Sequence, residues 1–264
     1  MSFAKRRDFL LQGSLWAGLL GCGLITPRQA WALPEAAFDA TTVEGVLKAL
    51  GGQPVASKDI ALQVQDIVED GAVVPLSVSS NLPRTQEMFV IVDKNPAPLA
   101  AGFTLEAGTD AFVALRVKMN ESALIHAVVR AEGRLFMVAK ETRVTLGGCG
   151  AGAPGPQDGA GAPAPMRLRS QFKDGVTDVR VLMAHPMESG QRKDAAGKAV
   201  PAHHITDVVA RHGDRTVLSA RWGPSVSRNP FLHFRLRGAK PGERISVTWT
   251  DNRGQRRTDE ALIA

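Results

Sequence analysis

The stretch Val144-Thr-Leu-Gly-Gly-Cys-Gly-Ala-Gly-Ala153 divides the sequence into two halves whose apolar residues alternate as they do in β-strands. Glycine loses more conformational entropy on ordering than any other residue, so this stretch predicts a flexible arm. It continues as a Gly/Ala/Pro-rich linker to Pro165, in which Asp158 is the one charged residue. Such a composition cannot bury a core. Residues 147–165, here named the cysteine segment, therefore predict a boundary between two domains.

The first half, residues 33–146, begins with a helical pattern and continues with strand patterns. Thr41 and Glu44 have the spacing of a capping box, and a glycine pair at 51–52 ends the apolar stripe that follows. The apolar period then changes from 3.6 to 2, and about seven strand-like segments follow, separated by Gly, Pro and Asn. The pattern predicts a β-sandwich with a short N-terminal helix.

The second half, residues 166–264, contains further strand patterns and one long polar loop. A hairpin is predicted from Ile205–Ala210 and Val217–Trp222, and the loop spans His185–Asp194. The second half is therefore predicted to form a smaller sandwich of immunoglobulin-like size. For the whole chain we predict an all-β fold of two immunoglobulin-like β-sandwiches joined by the Gly/Ala/Pro-rich linker.

Charge differs between the two halves. Residues 33–165 contain 10 basic and 15 acidic residues, a net charge of −5, whereas residues 166–264 contain 18 and 10, a net charge of +8. Opposite charges favour encounter, so we expect the two domains to pair within one molecule. The whole chain has a formal charge of +6. Neither half has a lysine-rich run with interleaved aromatic residues, which argues against nucleic-acid binding.

The N-terminal 32 residues have the pattern of an export signal. The twin arginines at positions 6 and 7 precede an apolar run, Leu10–Ile25, which is too short to span a bilayer comfortably. Ala30-Trp-Ala32 supplies a small-x-small cleavage pattern. Residues 1–32 therefore predict a Tat-type signal peptide, a mature N-terminus at Leu33 and a location in a bacterial periplasm.

A second interpretation of the export signal stays open. Leu19-Leu-Gly-Cys22 resembles a lipobox, which would leave a lipid-anchored Cys22 instead of a free N-terminus at Leu33. Without lipidation at Cys22, we expect no association with a membrane.

Common catalytic and metal-binding arrangements are absent from the sequence. A copper site would need a histidine close to Cys149, and a cysteine hydrolase would need a base held beside it. His203 and His204 would point to opposite faces of a strand, so they are not expected to share a metal. No Rossmann, P-loop or paired-cysteine zinc pattern occurs. We expect no catalytic residue, metal or resident cofactor, and we expect loop or surface positions for the histidines, His126, His185, His203, His204, His212 and His233.

Cys149 is predicted to be a covalent attachment point. It would be the sole thiol after removal of the signal, and an unpaired cysteine in an oxidising compartment is a hazard unless it is used. No Lys, Arg or His lies within five residues to lower its pKa. A partner enzyme would therefore have to activate it, with Gly147, Gly148 and Gly150 as flexible residues of the arm. The alternative is that Cys149 is only a small residue in a linker.

Several stretches resemble one known family of carriers. Val144–Gly150 resembles the Gly-Gly-Cys-Gly-Gly arm of SoxY, the thiosulfate-oxidation carrier, and Lys94-Asn-Pro-Ala-Pro98 is also similar to SoxY. The second half is similar to SoxZ almost throughout, most specifically at His185-Pro-Met-Glu-Ser-Gly-Gln-Arg-Lys-Asp194, Asn229-Pro-Phe231 and Val247-Thr-Trp-Thr-Asp251.

The resemblance implies a fused SoxYZ protein without catalytic activity of its own. Cys149 would hold a sulfonated or persulfide intermediate while periplasmic sulfur-oxidation enzymes oxidise and hydrolyse it. The covalently bound sulfur is the only group that the resemblance implies.

Two features depart from the SoxY pattern. The arm ends Gly150-Ala151 rather than Gly-Gly, and the chain continues beyond it, so the arm would enter a partner as a doubled-back loop. Fused SoxYZ-like carriers also accompany quinoprotein (PQQ) alcohol dehydrogenase systems. A quinoprotein dehydrogenase is therefore the alternative partner, and the sequence leaves the choice open.

Overall fold

The computed structural model describes residues 34–148, 163–194 and 196–264. Residues Glu35–Ala264 form one compact unit. Its two helices are α1 (Glu35–Asp39) and α2 (Val43–Ala49). The strands are β1 (Val55–Ala56), β2 (Ile60–Val64), β3 (Ile67–Asp70), β4 (Val74–Ser80), β5 (Thr85–Val92), β6 (Leu99–Leu105), β7 (Thr109–Val117), β8 (Ala123–Ala131), β9 (Arg134–Leu146), β10 (Arg167–Lys173), β11 (Val176–Leu182), β12 (Ile205–His212), β13 (Arg215–Trp222), β14 (Phe231–Arg237), β15 (Arg244–Asp251) and β16 (Arg256–Leu262). Within these ranges, no helix is both long enough and apolar enough to cross a bilayer.

Helix α2 begins one residue later than its predicted cap implies. Thr42 has an extended backbone, with φ −134° and ψ 152°, and its Oγ1 accepts a hydrogen bond from Gly45 N at 3.0 Å. The N-cap is therefore Thr42, and the predicted Thr41–Glu44 capping box is wrong. Helix α1 was not predicted, because five residues are too few to display a helical period.

Two sheets run through both halves of the chain. The ten-stranded sheet has the order β1-β9-β8-β5-β6-β13-β12-β15-β16, with β3 also paired to β9, and the six-stranded sheet has the order β10-β11-β14-β7-β4-β2. The halves meet where β6 pairs with β13 and where β7 pairs with β14, both antiparallel. The predicted all-β fold with a short N-terminal helix is confirmed. The domain boundaries, and the association of the halves as separate chains, stay predictions.

A hydrophobic core between the sheets extends across both halves. Phe103 and Leu115 from the first half lie in the same cluster as Trp222 and Phe234 from the second, and all four side chains are fully buried. Burying an apolar side chain of this size contributes about 1.5–3 kcal/mol. Apolar packing therefore joins the halves in addition to the strand pairing.

Two short strands, β1 and β3, were not predicted from the sequence. Val55 of β1 and Ile67 of β3 are both exposed, so neither strand shows the alternation of a half-buried strand. Both pair with β9 in parallel. Strand β3 matters most, because it runs beside the end of β9 that leads to Cys149.

Candidate functional site

The end of β9 is hydrogen-bonded to the residue that follows β3 and to the chain that follows β7. Gly71 N donates to Leu146 O at 2.7 Å, and Met119 N donates to Gly71 O at 2.7 Å. Gly148 N in turn donates to Met119 O at 2.8 Å. These bonds hold the chain up to the residue immediately before Cys149. The residues that meet here are named the segment base: Gly71, Met119, Asn120, Gly147 and Gly148.

Glycine at the segment base permits close contact between backbones. A Cβ on Gly148 would lie 2.1 Å from Gly71 C and O, and a Cβ on Gly147 would lie 2.2 Å from Asn120 O. Such contacts would force the backbone to move. Gly147 and Gly148, predicted as flexible residues of an arm, are therefore packed against the body of the protein, and their lack of a side chain serves this packing.

Asn95 connects the segment base to the second half. Its side chain is buried, and its Oδ1 accepts from Asn120 N at 3.0 Å. Its Nδ2 donates to Lys118 O at 2.8 Å and to Ser225 Oγ at 3.2 Å. A buried amide that is hydrogen-bonded at both ends fixes the relative position of its partners, because each lost bond would leave a buried polar group unsatisfied.

Lys118 extends the same connection across the junction. Its side chain is buried, and its ammonium group donates to Met187 O and, at 3.0 Å, to Pro224 O. A buried ammonium group needs such acceptors, because burial without them is costly. Lys118 thus joins the strand end beside the segment base to the loop between β11 and β12.

Three stretches of the second half meet around that loop. Asn229 N donates to His185 O at 2.9 Å, and Asn229 Oδ1 accepts from His185 N at 3.2 Å. His185 also contacts Asp251, the last residue of β15, through its ring. Met187, which receives the Lys118 bond, has a left-handed backbone with φ 51° and a fully buried side chain. A non-glycine residue rarely adopts this conformation unless its surroundings enforce it.

His185, His203 and Asp251 form a buried cluster, here named the Asp251 cluster. His203 Nε2 lies 2.8 Å and His185 Nε2 lies 3.4 Å from Asp251 Oδ2. Burial is the main cause that lowers the pKa of His185 to about 4, against the opposing effect of Asp251. Burial alone would raise the pKa of Asp251, but the hydrogen bonds from His203 and from the Gln255 and Arg253 backbones lower it. The cluster therefore holds neutral His185 against an ionised carboxylate.

The spacing in the Asp251 cluster could also accommodate a metal ion, because its three candidate ligand atoms lie within 4.8 Å of one another. Met187 N, however, donates to His185 Nδ1 at 3.2 Å, so the ring proton of neutral His185 resides on Nε2. A metal at Nε2 would move that proton to Nδ1, where it would face the Met187 N–H. The hydrogen bonds thus favour a carboxylate held by two N–H donors over a metal centre.

The expectation that the histidines occupy loop or surface positions is wrong for His126 of β8 and His233 of β14, which are buried. His185 and His203 do lie in a loop, between β11 and β12, but they are buried as well. For His185 and His233 the burial is compensated by Asp251 and Asp178, which are distant in sequence and therefore invisible to local patterns. Cys149, Gly150 and residues 1–33, including Cys22 and Leu33, lie outside the described residues. Their predicted roles stay predictions.

The stretches that carry the resemblance converge in space. Asn95 of the first half and His185, Asn229 and Asp251 of the second half belong to one set of contacts with Lys118 at its centre. Sequence reasoning identified the stretches but missed Lys118, Met119 and Asn120. The available signal was a single lysine directly after the alternating apolar residues of β7.

Comparison with known proteins gives two family matches. The family described as "Sulfur oxidation protein SoxY" matches residues 47–149, and the family described as "Sulphur oxidation protein SoxZ" matches residues 166–262. No protein with a curated description matches the sequence.

Similar solved structures include the sulfur carrier protein SoxY from Chlorobium limicola f thiosulfatophilum. It is 28% identical over 41% of this chain and 96% of its own, with a TM-score of 0.37. The BSP domain of a biofilm-associated protein is 13% identical over 79% of this chain and 30% of its own, with a TM-score of 0.26. The structural scores add nothing to the family matches. This chain belongs to the SoxY and SoxZ families of sulfur-oxidation proteins and joins a SoxY domain to a following SoxZ domain in one polypeptide.

Proposed function

We propose that this protein is a periplasmic carrier that holds sulfur intermediates covalently on Cys149 and presents them to the enzymes of thiosulfate oxidation. The observation that supports this most is the convergence of the SoxY-like and SoxZ-like stretches at Lys118 and the segment base, directly before Cys149. This arrangement gives the thiol a defined point of attachment to the body of the protein.

The loading step needs a partner that accepts electrons. The Cys149 thiolate forms an S–S bond to the terminal sulfur of thiosulfate, which yields a cysteine S-thiosulfonate with one negative charge. Two electrons leave in this step, and a redox enzyme of the pathway accepts them. The carrier supplies the thiol and its placement, and the partner supplies the oxidant.

The cysteine segment is held at both of its ends. On the far side, Pro163 O accepts from Arg257 Nη1 at 2.7 Å, and Met166 N donates to Asp259 Oδ2 at 3.0 Å. The thiol must therefore be presented from within a loop rather than from a free chain end. A partner must therefore have a cleft open enough to admit a loop. The second candidate function is service to a quinoprotein (PQQ) alcohol dehydrogenase system whose cleft meets this requirement.

The proposed location follows from the N-terminal sequence. Residues 1–32 have the twin arginines and cleavage pattern of a Tat signal. Intact-mass analysis of protein purified from its source without reductant tests location and cargo together. We expect an N-terminus at Leu33 and an added mass of thiosulfate or sulfane sulfur on Cys149. A lipidated Cys22 would refute this cleavage site, and a different adduct would favour the quinoprotein system.

Cys149→Ser provides the matched control. A serine hydroxyl cannot form the S–S bond, so the adduct should be absent from this variant. We predict that Cys149 lies in a linker that buries no core, so the melting temperature should change little, since substitutions outside a packed core usually alter stability by less than about 0.5 kcal/mol. An unmodified Cys149 in wild-type protein from actively oxidising cells would refute the carrier function.

A further inference from the structure

The outward side of the six-stranded sheet, here named the outer face, presents aromatic and basic side chains from both halves. Arg116 of β7 stacks over Phe231 of β14, and Arg235 of β14 stacks over Phe112 of β7 at 4.0 Å from its ring centroid. The His233 ring contacts both Phe112 and Phe231, at centroid distances of 4.9 and 6.4 Å. The contacts cross the junction between the halves, so the outer face is one continuous surface.

The outer face carries a large excess of positive charge. The six strands of this sheet contain seven basic and two acidic residues, a net charge of +5. Both acidic residues are already paired, since Asp178 binds His233 and Arg235, and Asp110 binds Arg237. The excess comes from exposed or half-exposed side chains that bind no carboxylate among the described residues: Arg116, Arg167, Arg169, Lys173 and Arg180.

Two of these cations occupy directly opposed positions. Arg169 of β10 lies opposite Arg180 of β11, and Arg180 lies opposite His233 of β14. Like charges directly opposite on neighbouring strands destabilise a sheet. Among the described residues, no carboxylate pairs with Arg169 or Arg180. An acidic partner protein would offset the repulsion between them.

The outer face lies next to the segment base. Arg116 is three residues from Met119, which accepts the hydrogen bond of Gly148, and this separation is about 10 Å along an extended chain. Strand β10, which forms one edge of this sheet, begins at Arg167, four residues after Pro163 of the cysteine segment. The cysteine segment therefore leaves and rejoins the body at the same end of this face.

We propose that the outer face is the docking surface for partner enzymes and that it recognises an acidic patch on a protein. The proposal rests on the proposed carrier function, because docking here would place Cys149 at the edge of the contact. Six strands spaced by about 4.8 Å and roughly 20 Å long give an area on the order of 500 Å². An area of this size suits a transient protein contact, which a carrier with successive partners requires.

The dimensions also distinguish a protein from a small anion. Arg116 on β7 and Arg169 on β10 are separated by three strand spacings, about 14 Å, so thiosulfate could not bridge them. A nucleic acid could span the distance, and the experiment therefore includes a nucleic-acid probe.

The test measures how fast Cys149 is loaded by its natural enzymes. Purified carrier is incubated with thiosulfate and a cell extract of the source organism grown on thiosulfate, and adduct formation is followed by intact mass. Arg169→Glu with Arg180→Glu should reduce the loading rate at least tenfold at about 50 mM salt and should remove its dependence on salt. The matched control is Lys48→Glu with Arg256→Glu, an equal charge change on α2 and on the ten-stranded sheet, which should leave the rate unchanged.

The outcomes separate this proposal from the carrier function. Loading of wild type and of both variants at equal, salt-independent rates would refute the docking surface and leave the carrier function intact. No adduct on wild type at any salt concentration would refute the carrier function and, with it, the docking surface. Tight binding of a 20-nucleotide single strand that the Arg169–Arg180 variant loses, without any change in loading, would assign the face to nucleic acid and overturn the proposal.

Discussion

At Gly148 any side chain would collide with the backbone of Gly71, and the backbone N–H of Gly148 is already used to bind Met119 O. Cys149 follows directly, so its Cα lies one peptide unit, about 3.8 Å, from that of Gly148. The hydrogen bond therefore attaches the last described residue before the cysteine to the body of the protein. Gly148 thus contributes close contact between backbones rather than conformational freedom.

Gly148→Ala is expected to detach the segment base. Overpacking at a close contact typically costs about 1–3 kcal/mol of the free energy of unfolding. Release of the chain should also raise the rate at which a disulfide reagent modifies Cys149. The control is Gly133→Ala, in a turn with φ +76° and no neighbouring atom within 4 Å of a Cβ. It should lose stability from backbone strain without any change in thiol reactivity. Unchanged stability and reactivity in Gly148→Ala would contradict the role of the segment base.

Individual residues show where sequence reasoning reached its limit. Cys149 and its flanking glycines could be selected from the sequence because composition and spacing mark them locally. Lys118 and Asn95 could not be assigned a task, since their partners Met187 and Ser225 lie 69 and 130 residues away. The buried histidines were misjudged for the same reason, because a distant carboxylate makes their burial tolerable.

Among the elements, the loop between β11 and β12 is held by hydrogen bonds to residues distant in sequence. His185 attaches it to Asp251 at the end of β15, and Met187 accepts the bond from Lys118. Since burial holds His185 neutral, protonation would place a charge on a desolvated ring, which also lies 5.4 Å from the Trp249 ring, and Asp251 offsets only part of this cost. The loop should therefore be sensitive to acid.

The pH dependence of stability can be derived from the pKa of His185. Its folded pKa of about 4 lies below the ordinary value of 6.5, so the unfolded chain binds a proton first as the pH falls. The contribution is complete above pH 6.5 and is lost between pH 6.5 and 4, by about 3 kcal/mol in total. Asp251, whose pKa is lowered from 3.8, acts in the same direction at lower pH.

Chemical denaturation at several pH values tests this sign. Between pH 6.5 and 4.5, wild type should lose about 2 kcal/mol more of its free energy of unfolding than His185→Gln, which cannot titrate at this position. His126, His204 and His233, whose pKa values burial also lowers, remain in both proteins and cancel in the difference. If the free energy of unfolding changed equally with pH in wild type and in His185→Gln, the role of His185 would be contradicted.

Elements with one buried face could be predicted and exposed ones could not. Strands such as β4, where Val74, Leu76 and Val78 alternate with partly exposed residues, follow the period of 2 closely. Strands β1 and β3 lack this pattern because they lie along the edge of β9, where Val55 and Ile67 are exposed and Val68 is the one buried apolar residue of β3.

For the whole molecule, the sequence predicted the β-rich halves but not their shared sheets. Pairing of β6 with β13 joins Leu105 to Leu218 and Ala101 to Trp222, and these partners are more than 100 residues apart. No local pattern specifies such a register. The opposite net charges of the halves favour encounter, whereas hydrogen bonds and apolar packing form the junction itself.

The halves should associate when produced as separate chains. Residues 33–148 and 163–264, expressed together, should form a one-to-one complex that survives about 1 M salt, at which charges farther apart than about 3 Å are screened. Each half alone would expose strand edges that are paired in the intact chain, and it should aggregate. Size-exclusion chromatography at low and high salt distinguishes these states. If the two halves eluted as separate soluble monomers at both salt concentrations, the shared-sheet junction would be contradicted.

The shared sheets have a consequence for stoichiometry. Strands β13 and β14 occupy the edges that β6 and β7 would otherwise offer to another molecule. Each SoxY domain is therefore paired with the SoxZ domain of the same polypeptide. The junction between the domains is formed by strand pairing and apolar packing rather than by the linker. The linker instead gives each domain a high effective concentration relative to the other. Each molecule therefore contains one Cys149 thiol and one outer face, and dilution does not change this one-to-one ratio.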